Sequence, residues 1–272
     1  MIKIKISAKG IDFIEDNIMN KKNIAKITLD IAMAILFITF FNKTLISFKF
    51  HVQSGKVFGL LILVHMILNR RWIVNITKRI FDSKIKIRTK LSYICSLILL
   101  ISIVFIIFSG MMMMTATNYD RKMFYKMLHF GASYLSVGLI GIHVGLYWKF
   151  VMNMFKKLLK INKSTSITKI LANLCVVTVL VFGIYTTYKQ EYFNKLSNTL
   201  AYAITHIIPQ DLEEPEGSAY EKESLSFISL ATTYGSIISV FGIATYYIDL
   251  ALKEKNKSKE LKKEIIKELK RV

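Results

Sequence analysis

Four of the five histidines form two pairs with identical spacing. His51 and His65 lie in one apolar stretch and His129 and His143 in another, and the members of each pair are fourteen residues apart. Fourteen residues of helix give roughly 21 Å of rise and about 1400° of rotation, which is close to four whole turns. The two imidazoles of each pair are therefore predicted to lie on nearly one face of a helix, at two depths.

Metal binding is the chemistry that this spacing suggests, with each metal held between two helices. Because ~21 Å is too long for one helix to close both of its histidines on one metal, each histidine needs a partner on another helix. One neutral imidazole from either side, at each of two levels, is the ligand set of two six-coordinate b haems. We therefore predict two non-covalent haems, an outer one held by His51 and His129 and an inner one held by His65 and His143.

Two other interpretations of the histidines stay open. A histidine in an apolar helix can be a hydrogen-bonded packing residue, as in a non-redox sensor or transporter. Zinc is a weaker alternative, because zinc sites use thiolates, carboxylates or closely spaced histidines, and the sequence has no such cluster nearby. Cys95 and Cys175 each lie in an apolar stretch, which offers neither a disulfide framework nor a c-type haem attachment motif.

Composition indicates that these helices lie in a membrane. The 272 residues are 53% hydrophobic, with a mean hydropathy of +0.42 and a formal net charge of +20. Apolar blocks separated by basic links are typical of a multi-pass membrane protein. The positive charge is typical of lysine and arginine facing the cytoplasm, so it requires no nucleic-acid partner. The expected location is the cell membrane, in contact with the lipid bilayer.

Six apolar stretches are each near the ~20 residues that a helix needs to cross a bilayer. We predict an all-α fold with six transmembrane helices, preceded by a cytoplasmic lead at residues 1–23 with no cleavable signal peptide. The first four helices, within residues 24–151, form a dihaem four-helix bundle. Two further helices lie within residues 152–252, and a basic tail occupies residues 253–272. The predicted spans are approximately 24–42, 51–69, 91–114, 126–151, 167–188 and 225–252.

The distribution of basic residues predicts the orientation. The lead with Lys26, the links 70–90 and 149–169, and the tail from Lys253 hold 29 of the 38 lysines and arginines. Cytoplasmic segments carry such an excess, so both termini are expected in the cytoplasm. The link 189–223 has seven acidic residues against three lysines and is expected to be extracytosolic.

This orientation agrees with the histidine pairing. The second and fourth spans both run from outside to inside, so they are parallel. His51 is then level with His129, and His65 is level with His143.

Glycines and arginines near the histidines are further candidates for the walls of the same site. The glycines give room for a flat macrocycle or for a close neighbouring helix, and the sequence does not favour either. The arginines lie just past the inner level, where they could bind haem propionates or anchor the helix at the interface. These candidate cofactor-binding residues are Gly55, Gly59, Gly131, Gly145, Arg70 and Arg71.

Two further polar residues have simpler predicted roles. Asp30, four residues after Lys26, is predicted to pair with it along the first span. A carboxylate at that depth could also serve quinol deprotonation. His206, in the acidic link, is predicted to be a surface residue.

A resemblance to a known family rests on the two histidine-bearing spans. Their sequence resembles the flavinylation-associated cytochromes, small prokaryotic membrane b-type cytochromes, and the spacing is similar to that of respiratory cytochrome b. The resemblance covers roughly residues 24–151, and Tyr147 departs from it because the family often has another histidine there. The matching residues are His51, Gly55, His65, Asn69 and Trp72, then His129, Tyr134, His143, Gly145 and Trp148.

The resemblance implies electron transfer across the cytoplasmic membrane to extracytosolic flavoproteins that carry covalently attached flavin mononucleotide. The expected donor is a quinol or a donor on the cytoplasmic side. Two saturated haems would relay single electrons, so the protein is expected to be an electron-transfer component rather than a self-contained enzyme. A cytochrome b anchor subunit of a dehydrogenase or hydrogenase is the alternative within redox chemistry.

Overall fold

The protein is built from helices in the part of the chain that the structure describes. The computed structural model describes residues 21–41, 46–158, 165–205 and 226–269, and no strand occurs among them. The helices of these segments are α1 (Lys21–Thr39), α2 (Phe48–Arg79), α3 (Ile87–Thr115), α4 (Tyr119–Leu146), α5 (Trp148–Leu158), α6 (Ser166–Lys189), α7 (Tyr192–Thr205) and α8 (Phe227–Leu269).

Five of the described helices, α2, α3, α4, α6 and α8, are long and apolar enough to cross a membrane. They indicate a multi-pass membrane protein and confirm the predicted all-α class. The first predicted span, α1, is not among the five, because lysines and an aspartate interrupt its 19 residues. The predicted count of six spans therefore stays a prediction.

Polar side chains fix where three of the membrane helices begin. Ser47 accepts a hydrogen bond from the backbone N–H of Phe50 at the start of α2. Asn118 caps the first turn of α4 in the same way, and Thr165 caps the first turn of α6. Such caps satisfy N–H groups that have no partner within the helix. The cap at Ser47 sets the start of α2 one turn before His51.

Helix α4 lies at the centre of the packing. It packs against α3, α7 and α8, and its Val137 is fully buried. Small residues bring α8 especially close: a Cβ atom at Gly145 would lie 2.5 Å from the carbonyl oxygen of Gly242. Helix α4 is therefore held firmly on its α8 side.

Helix α2 has a different environment from α4. It packs against α1 and α3, and many of its apolar side chains are exposed, including Leu60 and Ile67. An apolar exposed face of this kind suits lipid contact. The two helices that carry the histidine pairs, α2 and α4, thus pack mainly against other helices rather than against each other. Helix α3 packs against both.

An ion cluster joins three helices at the end of the bundle predicted to be cytoplasmic. Arg88 of α3 lies 2.7 Å from the Asp249 carboxylate of α8 and also donates to the carbonyl oxygen of Leu146 at the end of α4. Lys253 donates to the same carboxylate. Asp249 is largely buried, so these two cations offset the cost of placing its charge there.

The helix boundaries differ from the predicted spans in three places. Helix α2 continues ten residues past 69, so it also carries Arg70 and Arg71. Helix α8 continues through most of the basic tail. The predicted acidic link contains a further helix, α7, which is amphipathic and packs on α4. The lead before residue 21, His206 and the strongly acidic part of the link lie outside the described residues.

Helix α7 forms because its apolar face has a surface to cover. Tyr192 and Thr199 are almost fully buried, and the Tyr192 hydroxyl donates to the carbonyl oxygen of Tyr134 at 2.8 Å. Lys195 is the single charged residue of α7. The acidic residues of the link are concentrated after residue 210, beyond the end of this helix. That charge distribution was the signal that could have separated α7 from the link.

Candidate cofactor site

The outer histidines face each other across the space between α2 and α4. The ring centroids of His51 and His129 are 6.1 Å apart, and the ring planes make an angle of 58°. A bond from a metal to an imidazole nitrogen is about 2.0–2.1 Å long, so two rings on opposite sides of one metal have centroids roughly 6 Å apart. The spacing of this pair fits a shared metal ion.

Helix α3 orients the ring of His129. Nδ1 lies 2.9 Å from the carbonyl oxygen of Ile106, and because that oxygen can only accept, Nδ1 is the donor. Nε2 then keeps its lone pair, the form in which an imidazole binds a metal. Gly110 makes room for the ring, since a Cβ atom there would lie 3.3 Å from its Nδ1 and Cε1 atoms. The sequence analysis missed Gly110.

The aromatic side chain of Phe40 packs against His51 in the first turns of α2. Phe40 meets the imidazole at a centroid distance of 5.3 Å and an angle of 68° between planes. Phe40 also packs edge-on against Phe58, and Phe37 lies against Phe58 in the buried core. These contacts place the outer pair beside an apolar cluster, from which water is largely excluded.

The inner histidine of α2 contacts a carboxylate. Nδ1 of His65 lies 2.7 Å from Oδ1 of Asp30 in α1. Nε2 lies 3.4 Å from the side-chain nitrogen of Asn69, which is beyond the usual hydrogen-bond range, and that amide instead donates to the backbone oxygen of His65 at 3.0 Å. The Asn69 side-chain oxygen accepts from Lys26 at 2.8 Å.

The predicted pair between Lys26 and Asp30 is therefore wrong. The two residues are spaced for a contact along α1, but each side chain turns to α2: Asp30 to His65 and Lys26 to Asn69. The reason is the position of α2, which offers both a donor and an acceptor to this face of α1. Spacing within one helix cannot reveal such partners.

The inner histidine of α4 contacts a hydroxyl group. Nδ1 of His143 lies 3.2 Å from Oγ of Ser96. Ser96 donates its own hydrogen to the carbonyl oxygen of Ser92, so its oxygen accepts from Nδ1 and again leaves Nε2 with the lone pair. The sequence analysis missed Ser96, which occupies on α3 the role that Ile106 has at the outer level.

Aromatic rings connect α2 and α4 at the inner level. Tyr147 lies 5.0 Å from the ring of His143 and 6.2 Å from that of Trp72, measured between centroids. The described residues show no ring contact between His65 and His143 of the kind that joins the outer pair. The structure thus brings together one of the two predicted pairs and places the members of the other on facing helices.

The candidate glycines of α4 lie in helix contacts. A Cβ atom at Gly131 would lie 3.1 Å from Oγ1 of Thr199 in α7, and Gly145 lies against Gly242 of α8. Close helix packing, one of the two alternatives from sequence, describes the environment of both residues.

The candidate glycines of α2 have more space. A Cβ atom at Gly59 would lie 3.2 Å from the tip of Ile107 in α3, whereas one at Gly55 would meet nothing within 4 Å. Gly55 thus borders open space four residues after His51.

The two candidate arginines line an open groove on α2. The groove has a volume of about 430 Å³ and is formed by Arg70 and Arg71 together with Val74, Asn75 and Lys78. Both arginines are exposed. Three cations around one groove attract anionic groups, and the arginines begin five residues after His65.

Among the described residues, no group of three or more histidine, cysteine or acidic side chains could hold a metal ion. The two predicted haem sites require only two histidines each. The chain matches no protein-family model, no curated protein and no solved structure. The fold and the site therefore define the class of protein: an all-helical protein with five described helices able to cross a membrane, in which four histidines lie on two of those helices.

Proposed function

We propose that this protein is a membrane b-type dihaem cytochrome that relays electrons across the cytoplasmic membrane of a prokaryote. The outer haem would be held by His51 and His129 and the inner haem by His65 and His143. The observation that carries the proposal is the 6.1 Å separation of the outer rings. The same fourteen-residue step along both helices leads from this pair to the inner histidines.

The hydrogen bonds of the histidines support the proposal. In His65, His129 and His143, Nδ1 faces an acceptor, which leaves Nε2 as the nitrogen with a lone pair. Ligand histidines in metalloproteins commonly donate their second N–H to a carboxylate, a carbonyl or water. A histidine that only packs needs one hydrogen-bond partner, which either ring nitrogen can contact. Packing alone therefore gives no reason for all three histidines to use Nδ1.

The reaction follows from the cofactor, and the chain's part is to position it. A b haem held by two of these histidines would supply one-electron transfer. Helices α2 and α4 would provide the ligands, and α3 orients His129 and His143 through Ile106 and Ser96. The apolar rings around His51 limit access of water to the outer level.

Six spans with both termini in the cytoplasm complete the proposed architecture. In this arrangement α1 is the first span and adds to the five that are long and apolar enough to cross. Its charged residues Lys26 and Asp30 contact Asn69 and His65 of α2. The basic cluster at Arg88 and Lys253 lies at the end assigned to the cytoplasm, in agreement with the positive-inside rule. The outer histidines then lie towards the extracytosolic side.

The proposed partners follow from the resemblance and from this orientation. An extracytosolic flavoprotein carrying flavin mononucleotide would accept electrons at the outer level. A quinol or a donor on the cytoplasmic side would supply them at the inner level. A cytochrome b anchor subunit of a dehydrogenase or hydrogenase would use the same histidines with different partners.

The absorption spectrum of the purified protein, with haem quantified per polypeptide, tests the proposal. We expect sharp reduced bands of bis-histidine haem b and two haems per chain. His206→Ala is the matched control, since it removes the fifth histidine and should leave two haems. A protein expressed with ample haem that shows no such bands would refute the proposal and favour a sensor or transporter with structural histidines.

A further inference from the structure

The Nδ1 partners of His65, His129 and His143 differ in charge. Nδ1 of His129 meets a backbone carbonyl, and Nδ1 of His143 meets the Ser96 hydroxyl, both of which are neutral. Nδ1 of His65 meets the Asp30 carboxylate, at the shortest of the three distances. Of these three histidines, His65 is the one whose Nδ1 contacts a charged group, and that contact is at the inner level.

A carboxylate in this position has two effects on an imidazole ligand. By accepting the Nδ1 hydrogen it fixes the tautomer and makes the ring a stronger electron donor to a metal. Its negative charge also stabilises the oxidised metal, which carries the higher positive charge, more than the reduced metal. Both effects lower the reduction potential of the site.

We propose that Asp30 is a positioning residue of the inner site and that it lowers the reduction potential of the inner haem. The inference rests on the proposed function, because it concerns a haem held by His65 and His143. A lower potential at the inner level gives electrons a downhill path from inside to outside. The hydrogen bond between α1 and α2 would then favour transfer in that direction.

The cations nearest in sequence to Asp30 and His65 have partners or surroundings other than the Asp30 carboxylate in the described structure. Lys26 lies one turn earlier in α1, but its ammonium group donates to Asn69. Arg70 and Arg71 are exposed in an open groove, where water and salt screen them. The Asp30 side chain is 45% exposed, but its carboxylate contacts the His65 ring directly at 2.7 Å.

A redox titration followed by absorption tests the inference. Asp30→Asn removes the charge and keeps the shape of the side chain. To observe one haem at a time, the substitution is made in His51→Ala, which retains the inner haem, and in His143→Ala, which retains the outer haem. We expect the inner haem to become at least tenfold easier to reduce, a shift of about 59 mV for one electron. The outer haem should not shift.

Two control variants separate this contact from other effects. Asp82→Asn removes the same charge on the link between α2 and α3, where Asp82 pairs with Arg79, and should leave both potentials unchanged. Ser96→Ala removes a neutral partner and should shift the inner potential by less than Asp30→Asn does. An inner potential that Asp30→Asn leaves unchanged would overturn the inference, as would an equal shift in Asp82→Asn.

Haem content covers the case in which Asp30→Asn does not retain the inner haem. Asp30→Glu keeps the carboxylate, so retention of the inner haem in that variant alone supports the inference. Loss from both variants overturns it, because the fit of the side chain rather than its charge would then hold the ligand. A wild-type protein without haem would instead refute the proposed function, so the two failures are distinguishable.

Discussion

His129 of α4 and Ile106 of α3 are joined by a hydrogen bond of 2.9 Å from the imidazole Nδ1 to the backbone carbonyl oxygen. The bond depends on a close approach of the two helices, because Gly110 leaves room for the ring one turn further along α3. A residue without a side chain on α3 thus decides how a ring on α4 is oriented. The outer site is built by three helices, although only two carry its histidines.

Gly110→Leu is expected to abolish the outer haem and to spare the inner one. A Cβ atom alone would already lie 3.3 Å from two atoms of the His129 ring, and a leucine side chain needs the space that the ring occupies. The expected haem content is about one per chain, in a protein that still inserts and purifies. Haem quantification and the reduced spectrum provide the measurement.

Gly235→Leu is the matched control for this variant. Gly235 lies in α8, another membrane helix, and a Cβ atom there would meet nothing within 4 Å. This control should keep two haems. If Gly110→Leu also kept two haems with an unchanged spectrum, the ring of His129 would not depend on the space at Gly110.

Gly145→Ala is expected to lower stability without removing haem. The added methyl group would lie 2.5 Å from the carbonyl oxygen of Gly242, so α4 and α8 must move apart. Overpacking of this kind costs roughly 1–3 kcal/mol. Thermal unfolding in detergent should show a lower midpoint for Gly145→Ala than for Gly235→Ala. Loss of one haem at unchanged stability would indicate instead that Gly145 borders the macrocycle.

The helical class could be predicted from sequence because it depends on hydropathy and periodicity along one chain segment. Hydropathy over some twenty residues identifies a membrane helix, and spacing places His51 and His65 on one face. The 6.1 Å contact between His51 and His129 agrees with the predicted outer pair. The two haems themselves stay a prediction.

Contacts between helices could not be predicted in the same way, because they depend on how each helix is rotated about its own axis. The spacing of Lys26 and Asp30 predicted a pair within α1, whereas the rotation of α1 turns both towards α2. The glycines of α4 likewise gave two equal alternatives until the positions of α7 and α8 were known. Gly110 and Ser96 had no signal in sequence beyond their small size.

The proposed orientation predicts where reporters should be active. A reporter fused after Val272 or inserted near Ser164 should be cytoplasmic, because basic residues surround both positions. A reporter near Gly217, in the acidic link, should be external. Accessibility labelling of single cysteines at the same positions, in a variant without Cys95 and Cys175, provides a second measurement. External reporters at Val272 together with a cytoplasmic one at Gly217 would invert the proposed electron path.

Deleting residues 211–216 tests whether the acidic link docks a partner. The link is negative. In the proposed orientation it is on the side opposite the basic face, so electrostatic attraction would raise the association rate with an external flavoprotein. We expect slower electron transfer at low ionic strength and an unchanged haem content. A control that replaces the segment with serine and glycine of equal length separates charge from length. Equal rates for deletion, control and wild type would show that the link has no docking role.

Alanine substitution of the four histidines is expected to produce two classes of variant. His51→Ala and His129→Ala should both lose the outer haem, and His65→Ala and His143→Ala should both lose the inner haem. Removal of either ligand of a pair removes the same haem. The levels are about four helical turns apart, so the other haem should survive. Each variant should retain about one haem per chain, and the two members of a class should share one spectrum and one midpoint potential.

All four variants should also lose electron transfer across the membrane, since the path needs both levels. Structural histidines would behave differently, because each substitution would then change stability by an amount set by its own contacts. His65→Ala would leave the Asp30 carboxylate without its imidazole partner, whereas His129→Ala would leave the backbone carbonyl of Ile106 without its partner. Four variants with unrelated spectra would therefore refute the pairing, whereas two matched classes would distinguish shared ligands from packing residues.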